Sequence, residues 1–390
     1  RTALLVCALE KLRRDGNIPG NAPIDIGLWI GGGQQSSPNK CKDAFAAYEE
    51  MLEATEPGNG YRFMLIECPW CGHSITPENR EEDRSRYGID CTSTSFSFRC
   101  PDSDCEFNDE RGLPIQVIDE CMYTSPPTIL LATIDKFARL PWEARSRTFF
   151  GFRADGEHFR SPDLVLQDEL HLISGPLGTI AAIYEAGIDV LIRQGGDRPK
   201  YVAATATIRG AGDQARRLYG REVKIFPASG TDADDSYYMK IDRNNGISRR
   251  YVGIMGQGHT AVTNTVHVMA AMVDAGQLVT TDDAYWTLVA YHNSRRELGK
   301  TMTLARDDIP SRIELICGPD RLGNHRKCDQ VVQLSGNLRS FQVPRVLKQL
   351  EVERGSDDSV DVLACTNMIS VGVDVERLNA MVVLGQPKMS

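Results

Sequence analysis

Short apolar runs that end in polar or glycine-rich loops recur along this chain, separated by stretches with apolar residues every third or fourth position. Arg1–Arg14 carries Leu5, Ala8, Leu9 and Leu12 at helical spacing, and Ile24–Ile30 then reads as a strand running into Gly31, Gly32 and Gly33. Ile129–Leu131 is a short strand that opens into ATIDKF (Ala132–Phe137). Leu164–Leu166, bounded by the turn signal Ser161-Pro162 and a helix-like stretch, predicts a strand buried on both faces. Leu177, Ile180, Tyr184, Ile188 and Leu191 predict a core-facing helix, and Tyr201–Ala204 a strand entering Thr205-Ala206-Thr207. Farther on, Val262, Val266, Met269 and Val273 mark another helix. Thr287–Tyr291, Ile313–Ile316 and Val360–Ala364 read as strands that open into loops, and Met381–Leu384 as a last one. A helix carrying Val343, Val346, Leu347 and Leu350 falls among them. Strands alternating with helices predict an α/β protein with a mostly parallel, doubly wound sheet in each half.

The pattern breaks between Tyr61 and Cys121. Cys68 and Cys71 form a CxxC knuckle followed by a glycine, and Cys100 and Cys105 form a second pair with four residues between them. Four thiolates so spaced fit a tetrahedral, structural Zn²⁺, as in zinc ribbons, with Cys91, Cys121 and His73 as nearby alternatives. The segment is otherwise poor in core residues, so metal binding is expected to contribute on the order of 10 kcal/mol to its folding. The expected domains are 1–230, interrupted by the insertion 61–121, then a linker over 231–250 and a second domain over 251–390.

Length and charge narrow the function. With 390 residues the chain has room for two or three domains. A formal net charge of −9 excludes a diffuse basic coat but leaves room for a local cationic groove. No uninterrupted apolar run approaches a membrane span and no signal peptide is visible. Several of the eleven cysteines (Cys7, Cys317, Cys365) sit in apolar context, as in reduced compartments, which predicts a cytoplasmic protein without a membrane partner. Arg1–Arg14 has no cap before it, and the last strand is unfinished at Ser390. A chain truncated at both ends is expected.

The candidate chemistry lies in DELH (Asp168–His171). Open α/β sheets place ligands at the carboxyl ends of strands. A phosphoryl-transfer ATPase needs a carboxylate there to hold Mg²⁺ and a second to orient water, roles that Asp168 and Glu169 fit. Acids capping a helix start would look the same in isolation. Thr205 and its neighbours are placed to hydrogen-bond that carboxylate cluster, and Thr133 and Lys136 to hold a sugar-phosphate backbone. No GxxxxGK[ST] occurs, so the glycine run is not a P-loop.

The order ATIDKF, DELH, TAT (Thr205–Thr207), a serine-bearing strand end and TNMISVGVD (Thr366–Asp374) resembles the tandem RecA-like core of DExH-type superfamily 2 helicases. With the cysteine insertion ahead of ATIDKF, DELHLISGPLG and CTNMISVGVDV, it resembles more narrowly the helicase family of the bacterial DISARM phage-defence system. The resemblance implies ATP and Mg²⁺ at Asp168 and Glu169, with His171, Thr205 and Thr207 coupling hydrolysis to the nucleic-acid side. It implies that Gly372 and Asp374 contribute to the nucleotide, and that Thr133, Lys136, Ser294 and Thr366 grip the phosphates of one strand. It also implies DNA, single-stranded before duplex, a role in anti-phage defence, and a partner subunit of the same system. The family's Walker A lysine and its arginine motif after TNMISVGVD are missing, so the chain as given is expected to hydrolyse ATP poorly. A catalytically weak scaffold that binds DNA or a partner, and a duplex translocase that does not separate strands, are the alternatives.

Overall fold

In a computed structural model the chain divides into two compact units, Arg1–Ala206 and Thr207–Leu338 with Val343–Ser390. The structure describes all residues except 31–36, 154, 197, 206–209, 229, 233–234, 236, 243–248, 322–324, 339–341, 367–368, 370–372, 374 and 387–390. Gly31–Gly33, Thr207, Gly372 and Asp374 therefore lie outside the described residues, as does part of the expected linker.

The first unit runs α1 (Thr2–Arg14), β1 (Ile26–Trp29), α2 (Cys41–Glu53), a single turn α3 (Pro57–Gly60), β2 (Ile89–Cys91), β3 (Phe96–Phe98) and β4 (Ile115–Gln116). It continues with α4 (Asp119–Thr124), β5 (Ile129–Ala132), the turn α5 (Ile134–Phe137), β6 (Leu164–Gln167), α6 (Gly175–Gln194) and β7 (Lys200–Ala203). β1 pairs in parallel with β4 on one side and β5 on the other, β6 pairs in parallel with β7, and β2–β3 is an antiparallel ribbon in the insertion.

Three details depart from the periodicity. On α1 the buried residues are Val6, Cys7 and Glu10, while Leu5 and Leu12 are exposed. Glu10 is tolerated there because its carboxylate accepts from Arg13, Arg14 and the Ile24 N–H. On α6 the buried stripe is Ala181, Glu185, Ile188 and Ile192, and Leu177 and Ile180 face outward. On β6 only alternate residues approach the core, and Leu164 and Leu166 are exposed rather than buried. Among the described residues α6 is the one helix long and apolar enough to cross a membrane, by length and composition alone. Glu185, Asp189 and Arg193 lie along it, and core helices of soluble proteins meet the same criterion.

The insertion is richer in core than its composition predicts. Phe63, Ile75, Tyr87, Phe98 and Phe107 are almost completely buried and share one cluster with Tyr48 and Met51 of α2. A second cluster joins Trp29 of β1 to Tyr123, Phe149, Ile188 and Ile192.

The second unit contains α7 (Ala211–Tyr219), α8 (Ala261–Leu278), β8 (Leu288–Tyr291), α9 (Arg295–Arg306), α10 (Asp308–Cys317), β9 (Val331–Leu334), α11 (Gln342–Leu350), β10 (Val362–Cys365) and β11 (Ala380–Val383). Its strands form one parallel sheet in the order β11-β8-β10-β9. β10 is buried along its whole length, as expected of a central parallel strand. Ile313–Ile316 is not a strand but part of α10, where Ile309, Ile313 and Cys317 recur every fourth residue and are buried together. The strand it was expected to supply is β9.

Candidate active site and metal centre

β6 ends at Gln167 and the chain turns sharply through DELH. Glu169 adopts a left-handed backbone with φ of 51°, the one positive φ outside glycine among the described residues. A β-carbon makes that conformation cost on the order of 1 kcal/mol. Local bonds hold it: Asp168 Oδ1 accepts the Glu169 N–H at 2.9 Å, and the Leu170 N–H donates to the Ala204 carbonyl at 3.0 Å. The Ala204 N–H in turn donates to the Gln167 carbonyl at 2.8 Å, which extends the β6–β7 pairing past both strand ends. Thr205 is thereby brought beside DELH, on exposed backbone.

Asp168 is exposed and keeps one carboxylate oxygen clear of this local bonding, which fits a cation ligand at a strand end. Glu169 is half-buried, and its Oε2 lies 3.2 Å from His171 Nδ1. The approach is not aligned as a hydrogen bond, and among the described residues the buried Nδ1 has no other partner. Glu169 and His171 are thus paired within the turn, with Asp168 preceding them at the strand end and Thr205 following Ala204, whose carbonyl accepts from the turn.

The residues expected to grip phosphates are distributed differently. Thr133 is exposed at the start of α5, where its side chain makes no capping bond. Lys136 is almost completely buried, and its ammonium donates to Asp119 Oδ2 at 2.6 Å and to the Ile30 carbonyl at 2.8 Å. It also lies 5.6 Å from the ring centroid of Trp29, whose Nε1 donates to Tyr123 Oη. Burial raises the Asp119 pKa, with Lys136 opposing it. In this arrangement the Lys136 charge faces the core, not solvent, which departs from its expected role.

In the second unit, Ser294 and Thr366 both follow strands at the carboxyl edge of the sheet. Ser294 caps α9, accepting the Glu297 N–H, in a Ser-x-x-Glu box that the sequence displays. Thr366 is buried just past β10, and its N–H donates to the Leu334 carbonyl of β9. The same edge carries Arg295 and Arg296, both exposed, with Arg295 Nη1 donating to Asn337 Oδ1 at 2.9 Å. Sequence reading passed over these two arginines although they directly follow Ser294. His292, buried just past β8, has its pKa lowered by burial, and among the described residues neither ring nitrogen has a partner.

The four expected cysteines converge. The Sγ atoms of Cys68, Cys71, Cys100 and Cys105 all lie within 4.8 Å of one another. The first knuckle closes through Gly72 at φ of 79°, with the Gly72 N–H donating to the Cys68 carbonyl and the Cys68 N–H to the His73 carbonyl. In the second, Asn108 Nδ2 donates to the Cys100 carbonyl at 2.7 Å. Burial pushes the Cys105 thiol up to about 11 and Cys100 higher still, whereas bonds from the His73 backbone and the neighbouring sulfurs lower exposed Cys71, so thiolates at Cys100 and Cys105 call for a cation beside them. Cys91 and Cys121 stand apart; Cys121 Sγ lies 3.2 Å from Cys41 Sγ instead.

Parallel strands in both units, a carboxylate pair at a strand end and a four-cysteine cluster in the insertion agree with the α/β fold that the sequence predicted. The chain is similar over its whole length to the DISARM protein DrmA of Bacillus paralicheniformis, with 33% identity over 439 aligned positions. It spans 38% of that protein's length. No family model matches the chain. Among solved structures it is similar to the DUF1998 helicase MrfA bound to DNA, with 14% identity and a TM-score of 0.45 over 97% of this chain and 38% of that one. It is also similar to the DEAD-box helicase Mss116 bound to single-stranded RNA and UDP-BeF, with 13% identity and a TM-score of 0.43 over 72% of this chain and 47% of that one.

Proposed function

We propose that this chain is the core of an ATP-dependent DNA motor acting in anti-phage defence, with single-stranded DNA as its track. The observation that carries the reading is the DELH turn, held in a strained conformation by the segment that leads into Thr205, in a chain 33% identical to a DISARM protein. Asp168 would hold the Mg²⁺ that accompanies ATP and supplies charge neutralisation at the phosphates. Glu169 orients the attacking water, and His171, against Glu169, reports the state of that carboxylate to the rest of the unit. Thr133 in the first unit, and Ser294, Thr366 and the exposed Arg295 and Arg296 in the second, are assigned to phosphates, and Gly372 and Asp374 to the nucleotide. Contacts of this kind position a strand without reading its bases. The four-cysteine cluster holds a structural Zn²⁺, and a second subunit of the same defence system is the expected protein partner, in the cytoplasm.

The test is the ATPase rate of the full-length polypeptide with single-stranded DNA, single-stranded RNA and duplex DNA. Stimulation by single-stranded DNA is expected; stimulation by duplex alone would point to a translocase. Glu169→Gln is expected to lower turnover at least about 100-fold while leaving DNA affinity in place. Unchanged turnover in that variant would remove Glu169 from its assigned role.

A further inference from the structure

Cys41 and Cys121 lie 80 residues apart in sequence, yet their Sγ atoms stand 3.2 Å apart in space. Carbon atoms, which are smaller than sulfur, pack at roughly 3.5–4.0 Å, so this is closer than ordinary contact. Local bonds hold the two backbones at that separation. The Cys41 N–H, on the first residue of α2, donates to Glu120 Oε2 at 3.0 Å, and the Glu120 N–H donates to the Asn39 carbonyl at 3.0 Å. Within α4 the Cys121 N–H donates to the Ile118 carbonyl at 3.1 Å. Cys41 is buried and Cys121 half-buried, so Cys121 is the sulfur of the pair open to a small reagent. Cys91 is engaged elsewhere, its thiol directed at the Thr92 carbonyl at 3.6 Å.

We propose that Cys41 and Cys121 form a redox modification site, a dithiol that a hydroperoxide closes to a disulfide and a small thiol reopens. Reaching the roughly 2.05 Å of a disulfide needs about 1.2 Å of approach, shared between two side chains. The Cys121 thiolate attacks a peroxide oxygen and the O–O bond breaks, leaving a sulfenic acid and a hydroxide or alkoxide. The Cys41 thiol then displaces the sulfenic hydroxyl, which leaves with the thiol proton as water. The two thiols lose two electrons and the peroxide gains them. Burial raises the pKa of both thiols, Cys41 to about 12, and at Cys121 bonds from the Cys41 thiol and the Phe96 backbone partly offset it. Thiolate is therefore scarce at neutral pH, and closure calls for sustained oxidant. In a reducing compartment the bridge is transient, because exchange with a small thiol returns both cysteines. While it lasts it closes a loop that contains the whole insertion, which restricts the unfolded chain and stabilises the first unit. The inference stands whether or not the DELH site hydrolyses ATP.

Two measurements test it. The natural protein is reduced, freed of reductant, treated with hydrogen peroxide, then denatured with a chelator present, alkylated and digested. Mass spectrometry is expected to find the Cys41 and Cys121 peptides joined, and dithiothreitol to separate them. Recovery of the two peptides unjoined, or of either joined to Cys91, would overturn the proposal. In calorimetry, the change on oxidation in the unfolding temperature of the first unit should be at least about 5 °C more positive in the natural protein than in Cys121→Ala. Comparing each protein with its own reduced form removes the effect of the substitution itself and of any oxidation at the other cysteines. An equal change in both would show that no stabilising bridge forms at Cys121.

Discussion

Lys136 and Asp119 meet at 2.6 Å with the lysine side chain wholly out of water. Removing two charges from solvent costs several kcal/mol each, and their attraction repays it only while both remain. Lys136→Met alone is therefore expected to lower the unfolding free energy of the first unit by about 3–5 kcal/mol, and Lys136→Met with Asp119→Leu to recover most of it. Urea denaturation of the three proteins reads the difference. A second readout separates a strut from a phosphate contact. Loss of a true contact would lower the salt slope of single-stranded DNA binding by about 0.7, whereas a lysine facing the core leaves the slope unchanged. ATIDKF gave no sign of this. The lysine's partners lie 17 and 106 residues away in sequence, and only the fold brings them within reach. The place of Asp168 and Glu169 just past a strand end was legible because it depends on the local apolar run and not on a distant partner.

At the scale of elements, α6 carries a carboxylate where its pattern called for an apolar residue. Glu185 is 4% exposed and, among the described residues, its Oε2 has no partner. Burial, reinforced by the charge of Asp189, raises its pKa from 4.5 to about 7. A pKa raised on folding means that the folded state keeps a proton the unfolded state has released. Stability is therefore full below about pH 4.5 and falls as pH rises to about 7, by on the order of 3 kcal/mol. Glu185→Gln should flatten that decline and raise the melting temperature at pH 8; a slope between pH 5 and 7 equal to that of the natural protein would contradict the assignment. Hydrophobic spacing found α6 but not its buried face, because the helix is apolar nearly all round and several stripes compete. The error at Ile313–Ile316 has a similar origin, since a four-residue stretch with three apolar positions fits a strand or a helix equally until the flanking Ile309 and Cys317 are included. Strands followed directly by a hydroxyl or acidic residue, such as β6 and β10, were placed to within a residue or two.

For the molecule as a whole, the apolar residues fall into separate cores. The cluster around Phe63, Phe98 and Met51 includes Cys7 of α1 and three of the four metal-site cysteines, Cys68, Cys100 and Cys105. The cores around Met269 and Val273, and around Leu334 and Leu363, belong wholly to the second unit. Arg14 ties α1 to the insertion as well, donating to the Gly112 carbonyl at 3.0 Å and lying 5.0 Å from the ring centroid of Phe107. Metal loss should therefore propagate through α1 and α2 but stop at the first unit. Without a cation, Cys100 and Cys105 would be held as thiols and the cross-link that joins residues 68–71 to 100–105 would be lost. Elemental analysis is expected to find about one zinc per chain, lost in Cys68→Ser. In calorimetry, a chelator should shift one unfolding transition to lower temperature by more than about 10 °C and leave a second in place. If both transitions moved together, the insertion would be stabilising more than the unit that contains it. If neither moved, the cysteine cluster would be a cluster of thiols and the aromatic core alone would hold the insertion.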